Sequence, residues 1–270
     1  MNIIKKVLNN NVVIANSSKQ EVILVGKGIG FDFKKGIEVP ENRIKSIFVK
    51  QDENNYERVL NSIDNEVVGI SEEIISLAEK ILNTKLNSAI HISLPDHINF
   101  AIKRIKKGMK IENPFINELR ALYSKEYEIA NNAINMINER FNIELPEDEA
   151  GFICMHIRGG ITNQDARKSL AHTKKIGEIM NLISKLLRSN FDRNSFEYIR
   201  TLSHINFMIE RVKSKEPIRN YLLESIKKEL YYEFNIAIKV ALKIENVFDI
   251  KVPEDEIGYI AVHLKRLSEV

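Results

Sequence analysis

Six histidines and one cysteine, Cys154, are the side chains of this 270-residue chain best suited to nucleophilic or metal chemistry near neutral pH. Four of the histidines fall in register. His97 and His204 each open the string HINF, followed by one residue, Ile, one residue and Arg. His156 and His263 close the strings PEDEAGFICMHI and PEDEIGYIAVHL, and the offset between these two equals that between His97 and His204. At this offset His91 aligns instead with Tyr198, and His172 with Asn65. Besides plain packing, three tasks are open to the repeated pairs. Metal ligation asks for close ligand spacing such as two histidines one helical turn apart; the long separation of His97 from His156 gives it no local support. Nucleophilic catalysis by Cys154 with His156 fails on geometry, because residues two apart on a helix face different ways. Cys154 reads as a small core residue. The third task is accepting a phosphoryl group, since a neutral imidazole keeps a nucleophilic nitrogen.

The elements that position these rings are helical. Leu119, Tyr123, Tyr127, Ala130, Ile134, Ile137 and Phe141 fall at steps of three and four, one continuous apolar stripe. The stripe recurs at the histidine offset, from Ile226 to Phe248. Without a gap, residues 97–156 and 204–263 agree at 22 of 60 positions, so the helical part is a tandem duplication, 63–168 and 169–270. Pro146 and Pro253 suit the first position of each repeat's last helix, and the acidic residues after them complement the helix dipole. His97 and His204 are expected where a loop enters a helix, with Asp96 able to cap it.

Ahead of the repeats, residues 1–56 read as strands. VVIA, EVILVG and IFVK alternate with turn-forming clusters, and Asn9 to Asn11 suit a hairpin turn. A sheet this thin buries little alone and is expected to dimerise. QDENNYER (51–58) reads as a polar linker. Residues 1–51 carry nine basic and four acidic side chains, a net +5, and the rest of the chain sums to −2. That imbalance points to a polyanionic partner at the N-terminus. GKGIGF (26–31) lacks the βαβ context of a dinucleotide loop, and KRIKK (103–107) reads as a solvated helix face. A single cysteine excludes an internal disulfide framework and fits a reducing cytoplasm. No apolar run reaches membrane-span length, and the start MNIIKKVLNNN lacks the apolar region of a signal peptide.

The fold class expected is therefore multidomain: a small all-β N-terminal domain (1–56) followed by two all-α helical bundles. The strings that carry it, Ile3-x-Lys-x-Val-x-NNN-Val, GKGIGF, DHINFAIKR and PEDEAGFICMHI, resemble the BglG/SacY/LicT type of bacterial transcriptional antiterminator over the whole chain. That resemblance implies a co-antiterminator RNA-binding domain and two phosphotransferase-system regulation domains (PRDs). It implies a homodimer that clamps an RNA hairpin in an mRNA leader and keeps a terminator from forming, through Lys6, Asn11, Gly26, Lys27, Gly28 and Phe31. Glycines would let backbone approach the RNA, Phe31 would stack on a base, and Asn11 would read a base edge. Lys27 stands where many relatives have Arg and lacks its flat, bidentate donor. The resemblance further implies phosphorylation of His97, His156, His204 and His263 by a sugar-specific enzyme II and by HPr, with no catalytic residue, cofactor or metal.

Phosphorylation adds up to about two negative charges. A charge near a helix end is worth about 0.3–1 kcal/mol, whereas moving a population from 1:99 to 99:1 takes about 5.5 kcal/mol. Switching therefore needs stronger terms: two copies in a dimer, desolvation at an interface, and pairing with Arg104, Arg211 or Arg158. The histidines are expected at the PRD dimer interface. A PRD-containing DNA-binding activator is the other regulatory reading and demands an N-terminal helix-turn-helix; a metal-dependent enzyme is the third.

Overall fold

The computed structural model describes residues 2–17, 20–49, 62–109, 111–163, 166–216 and 218–269; the linker expected at 51–58 lies outside the described residues. The N-terminal module is an antiparallel sheet in the order β1 (Asn2–Asn9), β2 (Val12–Ser17), β3 (Gln20–Val25), β4 (Ser46–Val49). Asn9 pairs with Val12, so the Asn run is the hairpin turn, closed by the Asn11 amide donating to Asn9 Oδ1 at 2.8 Å. The module also holds one helical turn that its sequence does not announce, α1 (Ile29–Asp32). Gly28, at φ 71, reverses the chain there, and the amides of Phe31 and Asp32 bond back to its carbonyl.

β2 and β3 are buried on both faces. Val13, Ala15, Val22 and Leu24 form one core with Ile4, Ile29 and Val39. Alternation puts Val12, Ile14, Ile23 and Val25 on the other face, equally buried. Helix α2 (Asn65–Leu82) packs across β1, β2 and β3. Its Gly69 makes this approach possible, because a Cβ there would lie 2.4 Å from Asn9 Nδ2. A helix of the same chain thus covers one face of a sheet too thin to bury much alone.

The first repeat continues with α3 (Ile90–Lys106), α4 (Ile116–Leu122), α5 (Ser124–Phe141) and α6 (Asp148–Thr162). The second comprises α7 (Ala166–Leu187), α8 (Phe196–Lys213), α9 (Leu223–Glu229), α10 (Tyr231–Phe248) and α11 (Glu254–Ser268). The apolar stripe is mostly buried, with Phe141, Leu230 and Phe248 half-buried, and is not one helix. Tyr123 (ψ 49) and Leu230 (ψ 41) leave helical geometry and divide α4 from α5 and α9 from α10. The chain forms two compact units, one of residues 1–114 and 125–169, the other of 115–124 and 170–270. Thus α4 belongs to the second unit, where Ala121 and Leu122 pack on its core and Tyr198 donates to Glu118 Oε1 at 3.1 Å.

Two expected helix starts are corrected. Helix α3 begins at Ile90 and α8 at Phe196, so His97 and His204 stand in helix interiors, two turns in. Asp96 is an exposed residue within α3 and caps nothing. The misleading signal is Pro95, which stands inside α3 in its second turn at the cost of one backbone hydrogen bond. Pro253 precedes the first residue of α11, and Pro146 stands two before α6. Among the described residues no helix is long and apolar enough to cross a membrane.

Candidate functional site

The loop after β3 gathers five of the six residues singled out for RNA. Asn11 organises it: its carbonyl accepts from the Gly26 amide and its Oδ1 accepts from the Gly28 amide, both at 2.9 Å. Its Nδ2 donates to Glu73 Oε2 on α2 at 3.0 Å, and Asn9 Nδ2 donates to the other carboxylate oxygen at 2.7 Å. Asn11 therefore shapes the loop, and in this structure both ends of its amide are occupied. Gly26 is buried, and a Cβ on it would meet the Arg43 carbonyl at 2.1 Å, so its need for glycine comes from the protein's own packing. Lys27 is exposed, and Phe31 projects with 76% of its surface free. A core role for Phe31 is excluded. Lys6 stands apart from the loop, half-buried on β1 opposite Ile14.

Sequence reasoning missed Arg43. Its Nη2 donates to the Lys27 carbonyl at 3.2 Å and pairs with Asp32, and its guanidinium lies 5.6 Å from the Phe33 ring centre. A flat, partly exposed guanidinium thus stands beside the loop that has Lys at position 27. No local motif marks Arg43, because it reaches the loop from 16 residues downstream.

The histidines do meet in pairs. In the first repeat α3 packs on α6 and brings the rings of His97 and His156 to 4.9 Å; in the second, α8 packs on α11 and brings His204 and His263 to 4.0 Å. Each pair has an arginine and a glutamate at corresponding positions. Arg104 pairs with Glu149 in the first repeat. In the second, Arg211 donates through Nε and Nη2 to both oxygens of Glu256 at 2.8 Å. Both glutamates are 2% exposed, a setting that demands a cation. The PEDE strings are explained residue by residue: Glu147 accepts from the Tyr127 hydroxyl at 3.0 Å, Asp148 and Asp255 accept from the Asn113 and Asn220 amides, and Glu149 and Glu256 hold the arginines.

The arginines expected to receive a phosphate are thus already committed, Arg158 included, which lies 3.1 Å from Glu126. The environments of the pairs also differ. His97 Nε2 faces Glu149 Oε2 at 3.3 Å, both atoms buried and neither in hydrogen-bonding geometry. Burial and then Arg104 push the ring's pKa down to about 4, against the opposing pull of Asp96. His156 Nδ1 lies 3.3 Å from Ser93 Oγ. His263 is likewise pushed down to about 4 by burial, then His204, Arg200 and Arg266; His204 moves in the same direction from burial, Arg200, Arg211 and Arg266. Three of the four rings are therefore held as neutral imidazoles, the form that has a free nitrogen.

The unrepeated histidines serve packing. His91 meets Glu72 at 2.7 Å beneath Phe48; burial lowers its pKa, but the charge and hydrogen bond of Glu72 outweigh that and raise it. His172 meets Asn206 at 2.8 Å. Cys154 is buried and its thiol pKa is pushed far up by burial. Among the described residues no group of three or more His, Cys, Asp or Glu side chains is placed to hold a metal.

The CAT RNA-binding domain family matches residues 2–57, and the PRD domain family matches residues 72–160 and 177–267. The transcription antiterminator LicT of Bacillus subtilis (strain 168) is 34% identical over 98% of both chains. The GlcT protein of Staphylococcus saprophyticus is 34% identical, over 99% of this chain and 97% of its own. A crystal structure of GlcT CAT-PRDI superposes with a TM-score of 0.51 at 43% identity, covering 60% of this chain and 99% of that one. The four-stranded N-terminal sheet, the paired helical repeats and these matches together make the chain a member of the transcription antiterminators that join a CAT RNA-binding domain to two PRD domains.

Proposed function

We propose that this protein binds an RNA hairpin in an mRNA leader, prevents the overlapping terminator from forming, and is controlled by phosphorylation of His97, His156, His204 and His263. The observation that carries the reading is the joint presence of two features. The exposed Phe31 and Lys27 project from a loop preorganised by Asn11, and each repeat brings two histidines face to face beside an Arg–Glu pair. The first suits stacking on an unpaired base with cationic support. The second suits phosphoryl acceptance.

The donors are HPr and a sugar-specific enzyme II of the phosphotransferase system, and the protein is their acceptor rather than an enzyme. It acts in the cytoplasm as a homodimer. Phe100 and Phe207 lie exposed one turn beyond His97 and His204, an apolar setting fit for a contact that phosphorylation would alter. The working division is 1–56 for RNA, and 63–168 and 169–270 for control. The N-terminal sheet gives no support to a DNA-binding activator.

In-vitro transcription through the leader upstream of the neighbouring sugar genes tests the reading. Added protein should raise read-through several-fold, and Phe31→Ala should abolish most of that gain. Unchanged read-through at protein concentrations that saturate the leader RNA would overturn it.

A further inference from the structure

The two histidine pairs share a frame but not the charges around it. Ser93, which meets His156, corresponds to Arg200 in the second repeat, and Gly159 corresponds to Arg266. A cavity of about 220 Å³ opens there, lined by Phe196, Arg200, Thr201, His263 and Arg266. Arg200 lies over the Phe196 ring at 5.9 Å, at the cavity edge. Glu197 and Glu269 also line the cavity, and Glu269 is drawn off by Lys265 at 3.3 Å. Arg200 and Arg266 are the arginines whose charge acts on the His263 ring. Arg211, the other nearby cation, is spent on Glu256.

Building on the reading that these histidines accept phosphoryl groups, we propose that Arg200 and Arg266 form a receiving site for a phosphoryl group on His263, a site the first repeat lacks. In the transfer, a neutral nitrogen of His263 attacks the phosphorus of a phosphohistidine donor. The new N–P bond forms as the donor's N–P bond breaks; the donor imidazole leaves with that electron pair and takes up a proton, and the other ring nitrogen of His263 gives up its proton. The group carries about −1.5 to −2 charge near pH 7. Two guanidiniums compensate it through charge-assisted, bidentate hydrogen bonds. At His156, the counterpart of His263, Ser93 and Gly159 stand where arginines would be needed, and at His97 the same group would meet the Glu149 carboxylate, 3.3 Å from Nε2. Phosphorylation of His263 therefore stabilises the second repeat, whereas the first has no arginines at the matching positions to compensate the charge.

The test phosphorylates the full-length chain with potassium phosphoramidate, whose P–N bond breaks to release ammonia, so that no protein donor is required. Sites are located by mass spectrometry and the phosphoryl group is titrated by ³¹P NMR. In the parent chain phosphorylated His263 should titrate about one pH unit lower than in R200A/R266A, in line with nearby opposite charges. R200K/R266K should fall between them. The parent's second repeat should also melt higher when phosphorylated, and the double alanine variant should show no such rise. Equal midpoints in parent and double alanine variant, or phosphate only on His204, would overturn the receiving site while leaving the histidines as acceptors. No phosphohistidine at any of the four positions, with phosphoramidate or phosphorylated HPr, would overturn the underlying reading as well.

Discussion

Glu149 is 2% exposed and is paired with Arg104 in the interior. Removing that partner strands a buried carboxylate. Arg104→Ala should therefore destabilise the first PRD by about 3 kcal/mol, within the range seen when one member of a buried pair is deleted. Urea unfolding of the full chain measures this, and Arg211→Ala should do the same to the second PRD. Phe31 is the opposite case. With 76% of its surface exposed it contributes little to folding, so Phe31→Ala should leave the melting temperature unchanged. The same substitution should weaken RNA binding by about 1–3 kcal/mol, the worth of a base stacked on an aromatic ring. The histidines were legible because one constant offset repeats their strings. The Arg–Glu pairs sit in those same strings, yet their members lie 45 residues apart and meet only when two helices pack. Local spacing could not have paired them. Arg43 left no trace in the sequence, and Asn11 and Gly26 were given to RNA when their hydrogen bonds and packing also build the loop.

At the scale of elements, strand alternation and the turn-forming asparagines made the sheet readable, and the apolar stripe made the helical repeats readable. What misled was chemistry whose effect depends on position in a helix. Pro95 and Asp96 look like a helix start but lie inside α3, and the breaks at Tyr123 and Leu230 carry neither Gly nor Pro to mark them. The docking of α2 on the sheet has a direct consequence. It covers a face that contains Val12, Ile14, Ile23 and Val25, all nearly fully buried. A fragment of residues 1–56 loses that cover and should fold only as a dimer, with a melting temperature that rises with concentration. Analytical ultracentrifugation with thermal melts at several concentrations measures this, and a folded monomer would contradict it. The neutral rings set a pH window. His97 and His263 titrate near 4 when folded and near 6.5 when unfolded, so the unfolded chain binds protons first. Their contribution is present above pH 6.5 and is lost as pH falls toward 4. His91, shifted upward, works in the opposite sense. Because two strongly lowered rings oppose it, urea midpoints should fall between pH 7 and pH 5, and His97→Gln should flatten that fall.

For the whole molecule, a basic N-terminal sheet stands ahead of helical repeats that are nearly neutral overall and that present their histidines in two unlike settings. The central claim is that charge added at those histidines governs RNA binding at a loop in another domain. The affinity of the full-length chain for the leader hairpin, measured by fluorescence anisotropy at fixed salt before and after stoichiometric phosphorylation, tests it most directly. Salt must be fixed because phosphate contacts make affinity salt-dependent. Phosphorylation should change the Kd by at least tenfold, about 1.4 kcal/mol. A variant with His97, His156, His204 and His263 all replaced by alanine should bind the hairpin but show no change on the same treatment. An identical Kd for the phosphorylated and unphosphorylated parent, or an undiminished response in the fourfold variant, would contradict it.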